Sequence, residues 1–477
     1  MNAINGSARR TATLALMIIA LLAPTFATAA PALNAARPVD FTRGPLRTSD
    51  NHRFLVYADG TPFFYLADTA WQLIHDLTRD EIQTYMADRA AKGFTVVQTV
   101  VLAELNGLDK PNARGHLPLQ NNDPAKPVTK DGPDNDYWDD VEFVLRHART
   151  AGLYVGLLPT WGRYVTANWQ NGLVDGIFTP KNARTYGEFV GRRFAEHDNI
   201  IWIIGGDRAA PTDASRAIWR ALAEGVTVGT AGKLDYTKTL MTYHTSGPGA
   251  SWWFFNDEPW MDLRAAQSGH GQNSFNWQII KQGYSLQPVK PVLDLETAYP
   301  GFRHGMPPTI ATDDHARRGA YWSVFAGACG HTYGHHSIWQ MHDPRRRAIA
   351  NPGPYWYDAL DAPSAVQMGH LRRLMESRPF TTAAPDQSLI RTEQSAPHDY
   401  IQALRGERFI MVYTPTGKTF QLQMGKLKTA TLNAAWFNPR TAQTEPLPPV
   451  QNTGIKEFDP PGPEQHANDY VLILEEP

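Results

Sequence analysis

The stretch NIIWIIGGDR, Asn199 to Arg208, is an apolar, β-branched run that stops abruptly at Gly-Gly-Asp. Its length and β-branched content predict a buried strand. The residues after it, TDASRAIWRALAEG, carry apolar positions at helical spacing. A buried strand followed by an amphipathic helix is the unit of an α/β fold, so the neighbouring sequence decides how often the unit repeats.

The same alternation runs in both directions. Upstream, Asp59-Gly60 lies between apolar runs and predicts a hairpin. Thr78 and Glu81 form a capping-box pair, followed by Ile82, Tyr85, Met86 and Ala90 at helical spacing and closed by Gly93. Trp138, Val141, Leu145 and Ala148 fall on one face of another helix, and Thr179-Pro180 starts a third. Strands are expected to start at Pro62, Phe94, Leu153, Ile200, Lys238, Trp260, Pro291 and Cys329. Eight strands alternating with helices predict an α/β fold, a (β/α)8 TIM barrel, over residues 38–378. A doubly wound sheet is the alternative, but no glycine-rich phosphate fingerprint follows the first strand. Residues 103–136 form a long polar loop, a length that is uncommon without a function. From about residue 379 to 477 the pattern changes to short strands separated by Gly, Pro and Asn turns, which predicts a small all-β antiparallel sandwich. The patch EPLPPV is a short proline-rich tract of low complexity.

Composition narrows the class. Hydrophobic residues at 42% and charged residues at 19% describe a folded globular chain. A net charge of −2 offers no electrostatic case for nucleic acid or anionic membrane as a partner. Arg9 and Arg10 before the apolar run TATLALMIIALLA, with Ala27 to Ala29 as a small-residue cleavage site, read as a signal peptide over residues 1–29. The sole cysteine, Cys329, cannot close an intrachain disulfide. A bacterial exported protein, periplasmic or secreted, is expected, and a monomer.

In a barrel, residues at the C-terminal ends of the strands share one pocket. The ends carry Asp68 with Trp71, then Gln98 leading to Glu104, then Trp161, then Asp207. Further along come Tyr243 with His244, Gln267 with His270, Glu296, and finally Tyr333, His335 and Trp339. Such a set of carboxylates, amides, imidazoles and indoles suits a neutral polyhydroxylated ligand such as an oligosaccharide or polysaccharide. Cleaving a glycosidic bond needs two carboxyl groups flanking one C–O bond. Asp207 and Glu296 each end an apolar strand, three strands apart, and are the expected pair. An Asp after Gly-Gly is equally a common turn residue or helix cap, and Glu296 alone could be a buried ion-pair partner. Asp68 could cap the following helix, and Trp71, Trp161 and Trp339 could be core or platform. The run HTYGHH (residues 331–336) invites a metal reading, but it reads as strand and loop with no HExxH, so no metal and no cofactor is expected.

NIIWIIGGDR and KPVLDLETAYPG, after the opening DGTPFFYLADTAW, closely resemble glycoside hydrolase family 140, the apiosidase-like enzymes of pectin degradation. The resemblance runs from about Pro45 to the C-terminus, and AAWFNPRTAQ resembles the collagen-binding-type domain found in such proteins. It implies a retaining mechanism with Asp207 as acid/base and Glu296 as nucleophile, acting on apiose-containing pectin. A glycosidase for another furanoside or pyranoside and a non-catalytic carbohydrate-binding or adhesion protein are the rival readings. A metal-dependent hydrolase stands third.

Overall fold

The computed structural model describes residues 36–477 except 168–173, 272–274, 305–307, 347 and 395–396. The expected signal peptide lies outside the described residues. The Asp59-Gly60 turn closes a small antiparallel ribbon in which Leu55 pairs with Phe63 and Val56 with Pro62. That ribbon consumes the start expected for the first parallel strand, which begins instead at Tyr65.

The parallel strands are β1 (Tyr65–Thr69), β2 (Val96–Leu102), β3 (Tyr154–Thr160), β4 (Ile200–Gly205), β5 (Met241–His244), β6 (Arg264–Gln267), β7 (Val292–Glu296) and β8 (Gly330–Tyr333). Helices α1 (Arg79–Ala91), α2 (Tyr137–Thr150), α3 (Pro180–Arg193), α4 (Asp213–Ala231), α5 (Asn276–Ser285) and α6 (Asp313–Phe325) fall between them. Their ends follow from local chemistry. Thr78 and Glu81 complete the capping box of α1, and Pro180 occupies the first turn of α3. A further helix, α7 (Pro363–Glu376), follows β8.

The strands form two arcs. One is a six-stranded sheet in the order β8-β1-β2-β3-β4-β5, and the other pairs β6 with β7 in parallel. The closed ring expected from the alternation is interrupted at two seams. Between β5 and β6 the Asp262 N–H donates to Met241 O at 2.9 Å, and between β7 and β8 the Cys329 N–H donates to Val292 O at 2.9 Å. The late starts of β5 and β6, against Lys238 and Trp260, have local causes. Tyr236–Lys238 coils into a 3-10 turn, and Trp260 is buried as a loop residue.

Helices α3 and α4 touch backbone to backbone. A Cβ on Gly191 would lie 2.3 Å from Val226 O, and one on Gly229 2.4 Å from Glu188 O. Glycine here permits close approach, because any side chain would force the helices apart.

The rear part is an antiparallel sheet of β9 (Ala384–Pro385), β10 (Gln402–Arg405), β11 (Phe409–Thr414), β13 (Thr431–Phe437), β14 (Thr444–Gln451) and β16 (Tyr470–Glu475). Its order is β9-β10-β11-β16-β13-β14. A two-stranded pair, β12 (Phe420–Gln423) with β15 (Ile455–Phe458), accompanies it. The EPLPPV patch is the outermost strand, with Pro446 opposite Ala435. Proline is tolerated there because an edge strand needs no outward N–H.

This sheet has two apolar faces. Ile410, Val412, Leu472 and Leu474 pack into the rear part's own core, whereas Met411, Tyr413, Val471 and Ile473 join the main core. Across that junction Tyr413 stacks on Tyr321 of α6 at 5.0 Å, and Arg317 forms a buried bidentate pair with Asp469, both bonds 2.8 Å. The rear sheet therefore packs one face against the front part.

Candidate active site

The Gly-Gly step explains how an apolar strand delivers an acid. Gly205 has φ +97° and Gly206 φ +132°, a region that L side chains rarely enter. A Cβ on Gly205 would lie 2.3 Å from the His244 carbonyl, and one on Gly206 2.8 Å from the Gly162 nitrogen. Gly206 N–H donates to His244 O, and Gly206 O accepts from Gly162 N–H, both at 2.9 Å. Two residues without side chains therefore thread between the ends of β3 and β5, and Asp207 emerges beyond them. Asp207 is itself left-handed, at φ +53°. A non-glycine residue held there marks a position over-determined by its surroundings.

Asp207 lines a cavity of about 720 Å3 together with Gln267, His270, Phe302 and His304. Burial, and then the nearby Glu296 charge, push its carboxyl well above the usual carboxylate range. Arg208 opposes this, with its Nη1 donating to the Asp207 carbonyl at 2.7 Å and standing 3.4 Å from Oδ2. Glu104 in turn stands 3.8 Å from Arg208 Nη2 and also favours the protonated form of Asp207.

Glu296 meets the opposite environment. Burial would raise its pKa, but His244 and His270 outweigh burial and hold the carboxyl below its ordinary value. His270 Nε2 lies 3.0 Å from Oε1 and His244 Nε2 lies 2.9 Å from Oε2. Nδ1 of His270 faces the Thr297 carbonyl at 2.8 Å. Burial disfavours charge on that ring, yet Glu296 and the Thr297 carbonyl more than compensate and raise its pKa. Two buried carboxyl groups with oppositely displaced proton affinities can divide acid and nucleophile roles between them.

The structure gathers His244, Gln267, His270 and Glu104 around this pair. Gln267 lines the same cavity as Asp207, and the Trp71 and Trp161 rings pack on His244 at 5.3 and 6.2 Å. The other expected contacts lie elsewhere. Asp68 is fully buried, 3.1 Å from Arg89 Nη1 and accepting from Tyr85 Oη at 2.8 Å, so it anchors α1 to β1 instead of facing a ligand. Gln98 donates to Thr332, Tyr243 to the Arg208 carbonyl, and Tyr333 meets Ser364, all within the interior. The buried His335, whose pKa burial pushes down to about 4, accepts from Ser337 N–H, and Trp339 donates to His336.

Residues missed in the sequence complete the site. Tyr299 packs on His270 with ring centroids 4.3 Å apart, and Phe302 lies 4.8 Å from the same ring. Burial and the Glu296 charge drive the Tyr299 hydroxyl well above its usual range. Asp294, two residues before Glu296, is spent on Ser268 and Asn276, from which it accepts at 2.7 and 3.1 Å. The only signal for Tyr299 was its place three residues after Glu296 in ETAYPG. Glu104 also lines a second cavity of about 380 Å3 with His75, Lys110 and Arg163.

Residues 49–382 match the family described as "Apiosidase-like, catalytic domain", and residues 384–475 match "Putative collagen-binding domain of a collagenase". A solved structure titled "Glycoside hydrolase" is 33% identical, with 93% of this chain and 99% of that chain covered, at a TM-score of 0.83. A structure described as a glycoside hydrolase family 5 protein from Bacteroides vulgatus is 31% identical, with 92% and 94% covered, at a TM-score of 0.84. No curated protein matches the chain.

Proposed function

Because the chain belongs to the apiosidase-like family and is a glycoside hydrolase, we propose that it is a retaining apiosidase of family 140 type that acts on apiose-containing pectin, rhamnogalacturonan II. The observation that carries the mechanism is the opposed protonation of Asp207 and Glu296. Glu296, kept ionised by two histidines, attacks the anomeric carbon while protonated Asp207 gives its proton to the leaving oxygen. Asp207 then takes a proton from the water that releases the sugar. Retention requires the carboxyls to stand about 5–5.5 Å apart.

The substrate reading rests on the family and on the second cavity, where Lys110 and Arg163 suit the carboxylate of an acidic sugar chain. Under this reading the two arcs act as one (β/α)8 barrel, and the chain divides at residues 378/379 into catalytic and rear domains. The N-terminal apolar run supports export to the periplasm or beyond.

The test incubates wild type with apiose-bearing pectic oligosaccharides and a panel of aryl glycosides, and identifies the released sugar and its initial anomer. Apiose released with retained configuration supports the proposal. Another sugar with retention would keep the mechanism and replace the substrate. Binding to the panel without any release would favour the adhesion reading.

A further inference from the structure

The active site is not the only place where ligand chemistry converges. At the N-terminus of α6, Asp314 and His315 meet His466 from the loop before β16, so one residue group bridges the front and rear parts of the chain. His466 Nε2 is 3.0 Å from Asp314 Oδ2, and His315 Nδ1 is 3.5 Å from the same oxygen. One ligand atom from each of the three lies within 4.8 Å of the others.

We propose that Asp314, His315 and His466 bind a divalent transition-metal ion, zinc by preference, as a staple between the two parts. Bonds of about 2.1 Å at a tetrahedral angle place neighbouring ligand atoms about 3.4 Å apart, close to the two observed separations. Two imidazoles and one carboxylate form a borderline-soft set that suits zinc better than calcium or magnesium.

His466 is 57% exposed, which leaves an entry path and room for a water as fourth ligand. His315 Nδ1 now accepts the Thr312 N–H at 3.2 Å and lies 2.6 Å from Thr312 Oγ1, so coordination through that nitrogen exchanges both Thr312 contacts for a metal bond. The nearest cations are engaged elsewhere. Arg317 is spent on Asp469, and Arg318 lies over the Trp322 ring at 4.8 Å. The histidines of the HTYGHH run take no part in this group.

The test uses full-length untagged protein, stripped with chelator, and calorimetric titration with zinc chloride backed by metal analysis after dialysis. One zinc per chain, bound with a Kd of micromolar or tighter, is expected. His466→Ala and Asp314→Asn should each weaken binding at least tenfold, while His398→Ala, at an exposed histidine outside the group, should not. A zinc-dependent rise in Tm in wild type that is absent in His466→Ala would support the stapling role. Wild type that takes up no zinc at millimolar concentration, or both variants binding as wild type does, overturns the proposal and leaves a plain His466–Asp314 ion pair. Hydrolysis enters none of these readouts, so failure here is separable from failure of the apiosidase reading.

Discussion

The amide N–H of Asp207 donates to Nδ1 of His244 at 3.1 Å, and the far nitrogen of the same ring stands 2.9 Å from Glu296. Acceptance at Nδ1 orients the ring so that Nε2 faces the carboxylate. One imidazole therefore ties the backbone of the expected acid to the side chain of the expected nucleophile. His244→Ala should lower kcat by about 100-fold, the scale of a small misplacement of reacting groups. Steady-state kinetics should show KM changing far less.

Removing the acid and removing the nucleophile should fail differently. Asp207→Ala should lose about 10²–10⁴-fold on natural substrates, the worth of a general acid, and much less on aryl glycosides whose leaving group needs no proton. Glu296→Ala should be deficient on both. Kinetics on the two substrate types check the pattern, and equal losses for Asp207→Ala on both would remove its role as acid.

The pH profile of kcat/KM should be a bell. Its acid limb reports protonation of Glu296, whose affinity for protons is depressed, and its basic limb reports loss of the raised Asp207 proton. Glu104 raises Asp207 through its negative charge. Glu104→Gln should therefore move the basic limb to lower pH and leave the acid limb nearly in place. A basic limb that stays put would show that Glu104 is electrostatically silent.

The same two carboxyls should have opposite effects on stability. Asp207 binds its proton more tightly folded than unfolded, so its ionisation costs stability as pH rises above the unfolded value near 4. Glu296, with a depressed pKa, contributes stability that is present above its unfolded value and lost as pH falls through its folded one. Asp207→Asn should therefore raise Tm, most at alkaline pH. Glu296→Gln should lower Tm by leaving His270 without its partner, at a cost of about 1–3 kcal/mol. Thermal melts from pH 5 to pH 9 check both signs.

Arg317→Ala should destabilise the molecule by about 3 kcal/mol, because it removes the bidentate partner of the buried Asp469 and leaves only Tyr413 Oη at 3.2 Å and Arg440 at 4.0 Å. Calorimetry should show one transition for wild type, since the rear sheet's second face belongs to the main core. Two separated transitions in wild type would contradict that shared core.

Much of the fold was legible because strands and helices alternate with clear caps. The start of β1 was misread because Pro62-Phe63 continues the apolar run, and only the pairing with Leu55-Val56 assigns it to the ribbon. EPLPPV shows no strand signal because proline opposes strands, and its place at the sheet edge removes that objection. In the site, Asp207 and Glu296 could be named because strand ends are readable from periodicity. Asp68 and Tyr333 end strands too, yet their side chains are spent on Arg89 and Ser364. Periodicity gives a strand's end but does not reveal which partner reaches a side chain first. Tyr299 and Phe302 sit on irregular chain after β7, where no periodicity exists to read.

Both rims of the rear sheet are blunt. One is the two-residue strand ending in Pro385, and the other carries Pro446, Pro448 and Pro449. A proline whose nitrogen faces outward removes a donor that an incoming strand would need. The sheet is thus poorly suited to serve as a template for a second chain's strand.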